Sequence, residues 1–134
     1  MSKKIFVNLP VKDLARSVAF FTGLGFSFNP QFTDDKAACL VISEEIFAML
    51  LREPFFRTFT TKEITDTATS TEVILALSLD SREEVDALAD RALAAGGRHF
   101  NDPSDQGFMY SRSFQDPDGH LWEVLHLDPA AVQG

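Results

Sequence analysis

Apolar and polar positions change period along the chain in a recurring order. Ile5 to Leu9 alternates and is rich in β-formers, which predicts a strand. Asp13 then stands where it can cap a helix whose apolar face is Leu14, Val18 and Phe21, with Thr22-Gly23 as its stop. Leu24 to Phe28 returns to a strand pattern before Asn29-Pro30 breaks it. Ala37 to Ile42 and Ile46 to Leu51 are apolar runs on either side of Ser43-Glu44-Glu45, the pattern of a hairpin. The first half therefore reads as strand, helix, three strands.

The second half repeats that order. Val73 to Leu79 is almost continuously apolar, which predicts a central strand. Ser81 and Glu84 form a capping box, each side chain placed to bond the other's amide. Behind it, Val85, Leu88, Ala89, Ala92 and Leu93 make one helical face, and Gly96-Gly97 ends the helix. Arg98 to Asn101, Phe108 to Phe114 and His120 to Leu127 predict three more strands. Asp116-Pro117-Asp118-Gly119 joins the last two as a turn. The offset between halves drifts from 68 residues at the first strand to 72 at the glycines. The reading is α+β: two tandem βαβββ modules at residues 3–52 and 72–128, each too small to bury its sheet alone.

Residues 53–71 connect the modules. Phe55, Phe56 and Phe59 cluster there at spacings that suit one helical turn, after Pro54 interrupts the chain. Two readings stand: a linker whose phenylalanines plug a sheet edge, or a lid over a pocket. A sheet edge and this phenylalanine segment both need cover, which predicts a homodimer.

Composition narrows the partners. The chain has 134 residues, 45% of them hydrophobic and 24% charged, an ordinary globular balance for a single domain. Its net charge of −8 argues against nucleic acid and anionic membrane surfaces, which would repel it at long range. Cys39 is the single cysteine, so no internal disulfide forms, and a cytoplasmic location fits. The start, MSKKIFVNLP, has no long apolar stretch after its lysines, so neither a signal peptide nor a membrane span is expected. Phe supplies 13 aromatic residues, against one Trp and one Tyr, which suits either a Phe-rich core or an apolar cup for a small molecule.

The paired modules, VKDLARSVAFFTGLGF after the first strand and FQDPDGHLWEVLHLDP near the end resemble the vicinal oxygen chelate superfamily. That superfamily holds glyoxalase I, extradiol dioxygenases, and fosfomycin- and bleomycin-resistance proteins. NLPVKDL, AACLVISEEIFAMLL and DPDGHLWEV are similar to its bacterial lactoylglutathione lyase-like group. The resemblance implies that the modules curl into an open barrel-like cup with the ligand inside. It also implies a divalent metal held by imidazoles and carboxylates on inward strand positions.

Carried onto this chain, those ligand positions fall on Phe6, Ile74 and Leu50, none of which can ligate, and on Glu123. One carboxylate on an apolar wall is a poor site for a divalent ion, so a metal cofactor is disfavoured. Strand parity turns Phe6, Asn8, Leu50, Ile74, Ala76, Ser78 and Glu123 into the cup, and these are the candidate ligand-binding residues. His120 and His126 fall on the face opposite Glu123, and His99 follows a helix. Three roles are open to Glu123: a structural carboxylate paired with Arg112, an anchor for a cationic ligand group, or a catalytic general base. Asn8 and Ser78 occupy matching positions and would either orient a polar ligand group or bond backbone. Cys39 lies in an apolar run and reads as an inert buried thiol. Two functions follow: a metal-free binder of a small molecule, or a metal-dependent lactoylglutathione lyase-like enzyme. Nothing matches a serine triad, a phosphate loop or a dinucleotide fingerprint.

Overall fold

A computed structural model describes residues 3–129. The chain divides into two compact units that meet between Thr65 and Asp66.

In the first unit, β1 (Ile5–Val11), α1 (Leu14–Gly23), β2 (Ser27–Asn29), β3 (Ala37–Val41) and β4 (Ile46–Arg52) follow in order. Their sheet runs β1-β4-β3-β2, with β1 parallel to β4 and the other pairs antiparallel. Asp13 caps α1 by accepting from the amide of Arg16, and Phe20 and Phe21 bury the helix against the sheet. The strand expected at Leu24–Phe28 starts later, at Ser27. The amides of Leu24 and Phe26 are drawn back onto the carbonyls that end α1, and Gly25 takes φ +100° to allow it. A single turn, α2 (Glu53–Phe56), follows β4, with Pro54 near its start and Phe55 edge-on to Phe59 at 5.1 Å.

The second unit repeats the plan with β5 (Ile74–Ser78), α3 (Arg82–Ala94), β6 (Ser104–Asp105), β7 (Met109–Gln115) and β8 (Leu121–Leu127). Here the order is β5-β8-β7-β6. The apolar run at Val73–Leu79, expected to be central, lies at the edge of its sheet. Only β8 pairs with it, and Ile74 is 56% exposed. The strand expected at Arg98–Asn101 reduces to one bridge, Arg98 to Gln115. Beyond that bridge the hydroxyl of Ser113 takes over, bonding both backbone groups of Asn101. Gly97 is required where α3 returns to the sheet, because a Cβ there would stand 2.7 Å from the Ala92 carbonyl oxygen and 2.9 Å from that of Gln115. No helix among the described residues is long and apolar enough to cross a membrane.

Candidate functional site

Each sheet has one face under its helix and one turned away. In the second unit, Leu75 and Leu77 pack toward the helix side, while Ile74, Ala76 and Ser78 are exposed on the other. Register carries that second face across the sheet. Glu123 lies beside Ala76 on β5 and Ser113 on β7, and Leu125 lies beside Ser78 and Ser111. Glu123 is half-buried there and makes no ion pair among the described residues.

Arg112, one partner considered for Glu123, points the other way. It sits on the helix side of β7, beside Val124, and its Nη1 bonds Asp86 at 3.1 Å and Asp90 at 2.8 Å on α3. Tyr110, two residues before it on the same face, donates to Asp86. That bond, together with Arg112, holds the Asp86 carboxyl below its usual range, and it pushes the Tyr110 phenol up.

In the first unit, Phe6 is 48% exposed and stacks on Phe47 at 4.8 Å, and Asn8 is exposed on the same face. Leu50 does not join them. The parallel register sets Met49 beside Asn8 and pairs Leu50 with Leu9, so Leu50 faces α1 and is fully buried. Counting from the sequence alone missed Met49 and Phe47 because face assignment shifts with a one-residue change of register. Cys39 lies beside Met49, fully buried, and burial pushes its thiol up, away from the thiolate that nucleophilic chemistry needs.

Each histidine is bonded within the second unit. The Nδ1 of His126 donates to the Leu79 carbonyl at 3.0 Å, and His99 pairs with Asp102 at the surface. His120 is 1% exposed, and its Nδ1 donates to Glu72 at 2.6 Å. Close by, buried Asp116 accepts from the amides of Asp118 and His120 and from the indole nitrogen of Trp122. Burial pushes the Asp116 carboxyl up, opposed by His120 and these donors. Glu72 had no signal in the sequence, being an isolated acid 48 residues from its partner.

The donor set does not fit a divalent ion. Phe6, Ile74 and Leu50 offer no ligating atom, and no three His, Cys, Asp or Glu side chains gather to hold a metal among the described residues.

Two tandem βαβββ units, each with its helix on one face of a mixed four-stranded sheet, define the class of protein. The model of the Glyoxalase/Bleomycin resistance protein/Dioxygenase superfamily matches residues 5–124, and the chain belongs to that superfamily. A hypothetical protein of S. aureus, SA1046, is 30% identical, with a TM-score of 0.79 over 94% of this chain and 95% of its own. A glyoxalase/bleomycin resistance protein/dioxygenase family enzyme from Burkholderia phytofirmans PsJN has the same TM-score at 18% identity, covering 94% of this chain and 99% of its own. A bleomycin resistance determinant encoded on the transposon Tn5 superposes with a TM-score of 0.66 at 20% identity, covering 95% and 99%. No curated protein matches the chain.

Proposed function

We propose that this chain is a metal-free binder of a small, cationic, partly aromatic molecule. The observation that carries the reading is Glu123: a half-buried acid, without an ion pair among the described residues, on a sheet face it shares with Ile74, Ala76, Ser78, Leu125 and the buried Ser111 and Ser113. A carboxylate in that setting gains most from a ligand cation, because apolar neighbours strengthen the interaction. The net charge of −8 favours approach of the same class of ligand. A thermal-shift screen of cationic aromatic compounds against neutral analogues of equal size tests it. Stabilisation confined to the cations supports the reading, and equal response to both refutes it.

Metal independence is part of the proposal. Protein purified without chelators should carry far less than one equivalent of zinc, nickel, manganese or iron per chain, measured by plasma mass spectrometry. Stoichiometric metal that disappears in Glu123→Ala, or lactoylglutathione lyase activity restored by added nickel, overturns it.

A homodimer completes the proposal. Phe59 is 65% exposed beside partly buried Phe55 and Phe56, an apolar patch of the kind that association covers. Light scattering should give twice the chain mass, and Phe59→Asp should shift the equilibrium toward monomer. A wild-type monomer at high concentration contradicts the dimer.

A further inference from the structure

The two units differ at one set of equivalent positions, and in the first unit an open cleft runs beside them. Leu9 pairs with Leu50 and Leu50 with Ala38, whereas Leu77 pairs with Val124 and Val124 with Arg112. Ala38 is therefore the counterpart of Arg112. The helix caps Asp13 and Ser81 keep the offset of Leu9 and Leu77, so Val18 and Thr22 are the counterparts of Asp86 and Asp90. In the second unit the long Arg112 side chain, 17% exposed, lies between sheet and helix and is held by both aspartates.

In the first unit short side chains stand at those positions, and Ala38 itself is fully buried. Ala38, Val18 and Thr22 all line a cleft of about 720 Å³ along α1, together with Leu14 and Ala19. Its wall is apolar, and no lysine or arginine contributes to it. Asp34 and Asp35, on the loop before β3, supply the charge at its edge. Asp34 is fixed in place by the amides of Lys36 and Ala37, which bond its Oδ1 and leave Oδ2 for another donor.

We propose that this cleft binds an amphiphilic organic cation, its apolar chain lying along Leu14, Val18 and Ala19 of α1 and its ammonium or guanidinium group at Asp34 and Asp35. This site is separate from the Glu123 face, and neither proposal depends on the other.

The test is amide NMR of the intact chain with n-octylammonium, at physiological salt so that diffuse attraction to the acidic surface is screened. Saturable shifts should be confined to residues 14–23 and 33–38. Octanoate should cause none there, and 1-octanol should bind more weakly. Asp34→Asn with Asp35→Asn should weaken octylammonium by about fivefold to tenfold and leave octanol unchanged. Ala19→Phe, on the exposed side of α1, should fill the cleft and weaken both by about tenfold or more. Ala15→Phe, one turn earlier, serves if that variant does not fold. Equal binding of octanoate, shifts centred elsewhere, or affinity untouched by the filling variant overturns the proposal. Shifts of these residues with protein concentration alone overturn it too, since they would mark the cleft as a contact between copies.

Discussion

Replacing Glu123 by Gln is expected to weaken a cationic ligand by about ten- to a hundredfold, the worth of one charge-assisted hydrogen bond in a partly desolvated place. The variant keeps shape and hydrogen-bonding reach while removing charge, so a neutral analogue of equal size should bind as before. Calorimetry on both proteins measures the difference. The geometry separates this outcome from its rivals. A carboxylate paired with Arg112 would cost stability when neutralised, but Arg112 is committed to Asp86 and Asp90 on the opposite face. A general base would lose turnover at nearly unchanged affinity. Unchanged affinity across a panel of cations, measured with melting temperatures alongside, would retire the binding role.

The second large effect lies in the buried polar cluster around the β7–β8 turn. His120→Ala should lower stability by about 3 kcal/mol, since it removes a buried ring and strips Glu72 of its partner. For a chain of this length the melting temperature should fall by ~10 °C. Glu72→Gln, which still offers His120 an oxygen acceptor, should cost clearly less. Thermal unfolding of the two variants distinguishes a bonded pair from simple packing. Equal losses would mean that the charge on Glu72 matters as much as the ring, and no loss in either would refute the pairing.

Much of the fold was legible because it rests on local chemistry. Asp13 and Ser81 cap their helices from side-chain oxygens placed three residues before the amides they accept from, a spacing written in the chain. The Asp116–Gly119 turn is equally local: Asp116 bonds the amides of Asp118 and His120, and Gly119 takes φ +81°. What periodicity did not carry was pairing order and register. The apolar run at Val73–Leu79 suits a central strand, yet sheet position depends on which partners arrive on either side, and only one does. The candidate site divided along the same line. Glu123, Ala76 and Ser78 share a face because parity within their strands is right and the β5–β8 register happens to preserve it. Leu50 parted from Phe6 and Asn8 because the β1–β4 register brings Met49 to that place instead. The salt link of Arg112 to α3 spans more than 20 residues, and no spacing rule reaches that far.

The units also fill their interiors differently. Of the twenty buried apolar residues among those described, thirteen lie before Thr65 and only seven after it, while four of the five buried polar ones, Ser111, Ser113, Asp116 and His120, belong to the second unit. Apolar burial resists opening in proportion to area, whereas a polar cluster yields once water can replace its partners. Amide hydrogen exchange in the native protein should therefore show two tiers. The strands β3 and β4 would exchange last, only on global unfolding, and β7 and β8 would exchange earlier through an opening confined to their own unit. The face that carries Glu123 would then belong to the more yielding half of the chain.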